Sequence, residues 1–281
     1  MPDLNSAYEK IVAYAEREFG KLDKLNRRDY ALALRQARAV IADAYGKYGR
    51  QGKLTYAEMQ KFDRLKKLDK MLDEALLSNT NHVATRSRKI LGETATGSFE
   101  KSAEAMALIT GEQIARELTA DQIMEILQKP SKGWTLNERL ALRQKDLTIR
   151  VKGEVRRRLL QSAPIEDTWK GVKVEMQKVY AAGRTELADD FHRVSQEAIR
   201  AEVELEKQQG LFPTLTWVTA GDNKVRDAHR LLDGQTVDAD QQFEIPSGPF
   251  KGYKTWQPQG FGEPALDYGC RCWVVAGFRE A

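Results

Sequence analysis

Along most of the chain, apolar residues recur every three or four positions, the period of a helix with one buried face. Phe62, Leu65, Leu68 and Leu72 follow this rule. So, over a much longer stretch, do Trp169, Val172, Met176, Val179, Leu187, Phe191, Val194, Ala198, Ala201 and Leu205, with Gly183 filling one slot. As a single helix that stretch would run for about 60 Å at ~1.5 Å per residue. Gly183 then marks a kink or a close helix crossing. Helix starts are written in the capping grammar: Thr55-Tyr56-Ala57-Glu58 with Leu54 and Met59 as staple, Thr119-Ala120-Asp121-Gln122 with Leu118 and Ile123, and Thr135-Leu136-Asn137-Glu138. Breaks are expected at a loop bracketed by Gly92 and Gly97, at Pro130 to Gly133, and at Ala163-Pro164. Between Pro2 and Pro130 no proline interrupts the pattern, which permits long helices.

Near Gly210 the pattern changes. The last 72 residues hold 9 of the 20 glycines, 5 of the 8 prolines, three of the five tryptophans and both cysteines. Short strands and frequent turns are predicted there. The expected fold is a mainly α N-terminal region of elongated helices followed by a small α+β C-terminal domain. Its expected divisions are a helical region over 1–130 of unassigned role, a basic helix and long helix over 131–209, and an α+β module over 210–281.

With 281 residues, 41% hydrophobic and 31% charged, and a mean hydropathy of −0.58, the chain can build a core. No stretch approaches the roughly 18 unbroken apolar residues of a membrane span. The first residues, Met1-Pro2-Asp3-Leu4-Asn5, lack the basic-then-apolar pattern of a secretory signal. Two cysteines are too few for a disulfide scaffold. A soluble protein made in a reducing cytoplasm is expected, with no membrane partner.

The net charge of +4 averages two unlike parts. Residues 210–281 carry 7 basic and 9 acidic side chains, whereas residues 1–209 carry 38 and 32. The surplus of the longer part sits in residues 131–160: Lys132, Arg139, Arg143, Lys145, Arg150, Lys152, Arg156, Arg157 and Arg158 face only Glu138, Asp146 and Glu154. Arg143, Arg150 and Arg157 recur every seven residues, a helical stripe beside Leu140, Leu147 and Val151. With Arg158, these are the candidate contacts to DNA phosphates, which would be non-specific, or to an acidic partner. A solvated face is the plainer reading. No zinc-finger, RNP or helix-turn-helix grammar points to sequence-specific recognition.

The C-terminal module holds the candidate chemistry. Trp217-Val218-Thr219 reads as a strand, and Asp222 as the N-cap of a short helix from Asn223 to Leu232, ended by Gly234. On that helix Val225, His229 and Leu232 share a face, so His229 is expected to point inward. In an extended Cys270-Arg271-Cys272 the two thiols project to one side. His229, Cys270 and Cys272 make three quarters of a tetrahedral zinc site, with Asp267 or Asp222 as fourth ligand. The plainer alternative is a buried histidine beside two small core residues. A Cys-His nucleophile pair lacks an orienting third group. Neither a GxxxxGK[ST] loop nor HExxH nor GxSxG occurs.

Gly183-Arg184-Thr185-Glu186, then Trp217-x-Thr219-x-x-Asp222-x-x-Val225-Arg226-x-x-His229-x-x-Leu232-Asp233-Gly234, then Phe243, Pro246 and Gly248, then Gly262-Glu263-Pro264 and Cys270-Arg271-Cys272, follow one another in this order. Over roughly residues 150–281 this closely resembles the phage Mu F-like minor head proteins, or phage head morphogenesis proteins. The resemblance implies a low-copy structural protein of a tailed-phage virion, at the portal vertex and capsid interior, made in the host cytoplasm. Its implied role is head morphogenesis, with packaged or ejected DNA within reach. Its implied partners are the portal protein and the major capsid or scaffolding protein. The family's characteristic positions fall on Asp222, Arg226, His229, Cys270 and Cys272, with Asp267 replacing the residue, often Asn or His-Pro, that precedes the CRC element. No catalytic residue and no cofactor is expected, zinc being the one candidate. Some relatives carry a toxin or nuclease domain after this element; here nine residues follow Cys272. The rival reading is a metal-dependent hydrolase of nucleic acid or cell wall, built on His229, Cys270 and Cys272.

Overall fold

The computed structural model describes residues 4–111, 117–131 and 133–278. Lys132 of the basic run lies outside the described residues. The chain is 68% helical. Long helices α1 (Leu4–Tyr48), α3 (Arg64–Thr110), α5 (Leu136–Leu160) and α6 (Ile165–Gln208) are accompanied by short α2 (Tyr56–Gln60) and α4 (Ala120–Gln128). A small α+β region follows, with strands β1 (Pro213–Val218), β2 (Thr236–Asp238), β3 (Phe243–Glu244), β4 (Lys254–Thr255) and β5 (Trp273–Phe278) and one-turn helices α7 (Asp227–Arg230) and α8 (Pro264–Asp267). The expected fold class is the observed one. None of the helices is long and apolar enough to cross a membrane, among the described residues.

Local grammar placed the starts of α2, α4 and α5 correctly. Thr119 and Thr135 each accept a hydrogen bond from the N3 backbone while Gln122 and Glu138 return one to the cap, both complete boxes. Thr55 accepts from the Glu58 N–H, but the Glu58 carboxylate turns to Lys61 and Arg64. There the chain kinks: Phe62 and Asp63 take φ of 53° and 56°, so Phe62 is 79% exposed and leaves the face that Leu68 and Leu72 bury. Gly92 and Gly97 bracket no loop; both lie inside α3. A Cβ on Gly97 would fall 2.2 Å from Cζ of Tyr14, so the glycine is the price of ring-on-backbone packing. Gly183 likewise lies within a continuous α6, where a Cβ would meet Arg143 at 2.9 Å. It marks a close crossing.

The described chain forms two compact units. The first comprises residues 21–88 and 134–186. Its core joins Ala33, Ala37 and Ile41 of α1, Leu68, Leu72 and Leu76 of α3, Leu147, Val151 and Val155 of α5, and Val172, Met176 and Val179 of α6. The small alanines of α1 let neighbouring helices approach closely. Tyr45 donates to the Ala163 carbonyl at the break between α5 and α6 and shares a hydrogen bond with Thr168.

The second unit comprises residues 1–20, 89–133 and 187–281. The Gly/Pro-rich module therefore packs with helical segments from well upstream of residue 210. Its sheet has the order β2-β1-β5, all antiparallel, with Leu215 opposite Val237 on one side and Ala276 on the other. Strands β3 and β4 form a separate hairpin. Ile11, Met106, Ile199 and Val203 cover the apolar residues of the sheet and turns, including Trp217, Phe243, Leu266, Cys270 and Cys272. Buried Gln196 of α6 accepts the Val274 N–H at 2.8 Å, satisfying the strand edge that β1 does not reach.

Candidate functional site

The site lies wholly in the second unit, where three contacts clasp the segment around α7 to the segment around residues 267–272. Asp222 does not cap the helix expected over Asn223–Leu232, which spans only Asp227–Arg230. Its carboxylate accepts the Lys224 N–H in an Asx-turn and pairs with Arg271 at 2.6 Å, and Arg226 stands at the N-cap of the short α7. The local side-chain bond competes with helix initiation, which delays α7 to Asp227. The Arg271 guanidinium, followed by the Lys224 amide, holds the Asp222 carboxyl down at about 2. Arg226 donates to the Tyr268 carbonyl. Asp233, just beyond α7, accepts the Thr219 N–H at 2.8 Å and so returns the chain to β1.

The third contact is the chemical one. His229 is 1% exposed, Cys270 3% and Cys272 2%. Both sulfurs aim at the same ring atom: Cys270 Sγ lies 3.4 Å and Cys272 Sγ 3.5 Å from His229 Nδ1. All three ligand-capable atoms lie within 4.8 Å of one another. Trp217 meets the His229 ring edge-on at 5.7 Å, and Phe261 stacks on it at 5.8 Å. A hydrogen bond from the Cys272 thiol, and then the His229 ring, hold the Cys270 thiol well below its ordinary range against the opposing effect of burial. That same bond, with burial, pushes Cys272 up.

Neither carboxylate considered as a fourth ligand joins this group, among the described residues. Asp222 is engaged by Arg271. Asp267 accepts the Phe261 N–H at 3.0 Å, and burial raises its carboxyl. Asp267 thereby closes the turn leading into α8, and its own carbonyl accepts the Cys270 N–H.

Sequence reasoning missed the supports from α6. His192 Nε2 bonds the Cys272 carbonyl at 2.5 Å, its ring lies edge-on to Trp273 at 4.6 Å, and burial lowers its pKa from the ordinary histidine value. Gln259 donates to the Cys270 carbonyl. Apolar spacing marked Phe191, Val194 and Ala198 but said nothing of the polar residues between them. The one available signal was the density of polar side chains in a stretch whose apolar rhythm is that of a core.

The stripe arginines lie in the other unit and are engaged within it. Arg143 pairs with Glu186 and donates to the Gly183 carbonyl at 3.1 Å. Arg150 pairs with Asp146 and Glu175, and Arg157 and Arg158 both pair with Glu154.

The motif that joins Trp217, Asp222, Arg226 and His229 to the CRC element is thus a single clasp in space. Residues 110–275 match the family described as Phage Mu protein F like protein. The chain belongs to that family. It is also similar to minor head protein GP7 of Bacillus phage SPP1, with 24% identity over 97% of this chain and 85% of that protein. A second similarity, to NAD(+)–arginine ADP-ribosyltransferase EFV of Enterococcus faecalis (strain ATCC 700802 / V583), has 24% identity over 55% of this chain and 31% of that protein. No solved structure matches. Membership of this family supports a structural role in the phage head.

Proposed function

We propose that this protein is a minor structural component of a tailed-phage head, non-enzymatic, bound to the portal or the capsid interior and acting in head morphogenesis. It would be made in the host cytoplasm and retained in the virion. The observation that carries this reading is the similarity to a minor head protein along 97% of the chain. The transferase similarity spans 31% of that protein and carries no reaction over. A hydrolase built on His229 and the thiols has less support, because all three side chains are at most 3% exposed and no carboxylate stands among them to activate water.

A docking surface of suitable character lies on α5. Leu142, Ile149 and Leu160 are 45%, 58% and 67% exposed, and a Cβ on Gly153 would meet nothing within 4 Å. Exposed apolar residues on one helix, Leu142 and Ile149 seven apart among them, suit a partner helix. DNA contact is the weaker part of the reading, because each stripe arginine already has a carboxylate partner. Non-specific binding would have to come from the more exposed Arg150 and Arg157, and would fall steeply with salt.

The test is binding of the full chain to purified portal, with Leu142→Glu/Ile149→Glu as the probe, together with its detection in purified virions. Truncation at residue 130 is unsuitable, since it removes segments of both units. Detection in virions and portal binding weakened by the double substitution are expected. Absence from virions, with no binding to portal or capsid shell, would overturn the proposal.

A further inference from the structure

We infer that His229, Cys270 and Cys272 form the binding site of a thiophilic divalent cation of the zinc class, which pins the CRC element to α7 beneath Trp217. This goes beyond the head role and does not depend on it. In a tetrahedral zinc centre with Zn–S of about 2.3 Å and Zn–N of about 2.0–2.1 Å, sulfur and nitrogen ligands stand ~3.6 Å apart. The two sulfurs lie 3.4 and 3.5 Å from His229 Nδ1. Three ligand atoms from segments some forty residues apart therefore already stand near the edge lengths of that tetrahedron.

Hydrogen bonding explains this arrangement less well. One imidazole nitrogen has either one proton or one lone pair, so it serves one thiol properly and not two. A cation between the three atoms satisfies all of them at once. Trp217 and Phe261 flank the His229 ring and hold its orientation. The backbone supports are in place as well: His192 holds the Cys272 carbonyl and Gln259 the Cys270 carbonyl. Protein supplies three ligands, leaving the fourth position to a small one such as water. Such a site would couple metal binding to the folding of the segments that it joins.

The experiment uses the full chain, purified without a histidine tag, reduced, stripped of metal and titrated with cobalt(II). The expected result is one equivalent bound, with the intense visible bands of tetrahedral cobalt and a sulfur-to-cobalt charge-transfer band, all abolished by one equivalent of zinc. Cys270→Ser and His229→Ala should each bind at least about tenfold more weakly. A weak octahedral spectrum, absence of saturable binding, or a Cys270–Cys272 disulfide that resists mild reduction would overturn the inference. So would unchanged affinity in Cys270→Ser/Cys272→Ser. The wild-type titration decides the question even where a variant fails to fold, and none of these outcomes bears on portal binding.

Discussion

Replacing the stripe arginines one at a time by alanine should separate those that hold the fold from those that only decorate it. Arg143 is 18% exposed, and its Glu186 partner 32%. Its stem lies flush against the α6 backbone, where its Cδ would be 3.0 Å from a Cβ on Gly183. Hydrogen bonds to charged groups contribute about 1.5–3 kcal/mol when shielded, and the buried stem adds packing. Arg143→Ala should therefore cost about 2 kcal/mol. Arg150 and Asp146 are 45% and 46% exposed, a surface i,i+4 pair worth about 0.3–0.5 kcal/mol. Arg157 is 55% exposed, and its Glu154 partner keeps Arg158 when Arg157 is removed, so a loss below about 1 kcal/mol is expected. Urea unfolding followed by far-UV circular dichroism gives the three values. Repeating it at about 1 M salt, where the Debye length falls to ~3 Å, should erase the Arg150 effect and leave most of that of Arg143. A cost below about 0.5 kcal/mol for Arg143→Ala, or equal costs for Arg143 and Arg150, would refute the assignment of Arg143 to the fold.

Gly97→Ala should destabilise the protein although alanine is the better helix former, because the Cβ displaces Tyr14. In a Tyr14→Ala background the same change should stabilise by about 0.5–1 kcal/mol, and thermal melts showing the same sign in both backgrounds would contradict the close-packing account. Trp217, fully buried against Phe243, Phe261 and His229, should cost about 3–5 kcal/mol as Trp217→Ala. By contrast, exposed Trp134→Ala should change the urea midpoint little. Tyr30, packed edge-on against Tyr180, is pushed by burial up to about 12. Its folded pKa exceeds the unfolded 10.0, so its contribution is intact below pH 10 and is lost as pH rises from there to about 12, a total of about 2–3 kcal/mol. The wild type should lose that much more stability than Tyr30→Phe over this window, and parallel pH profiles would argue against the burial.

The sequence by itself determined the local features: helix starts at Thr55, Thr119 and Thr135, the 3.6-residue rhythm of α6, the change of character near Gly210, and the ordered residues that mark the family. Each of these is encoded within a few residues by capping, periodicity or turn chemistry. Only the tertiary structure decided what is paired across distance. Gly97 read locally as the edge of a loop, and Gly183 as a kink or a close crossing; at each a side chain from another helix lies on the backbone, which only packing decides. The basic stripe read as unbalanced because, beyond Asp146 and Glu154 on α5 itself, its partners Glu186 and Glu175 lie on α6. Asp222, read as a helix cap, and Asp267, read with it as a possible fourth ligand, turned out to form an Asx-turn and a loop closure. His229, Cys270 and Cys272 could be listed together from their types. That both sulfurs reach one ring nitrogen follows from how α7 and the segment before β5 are clasped, and that is a property of the folded chain.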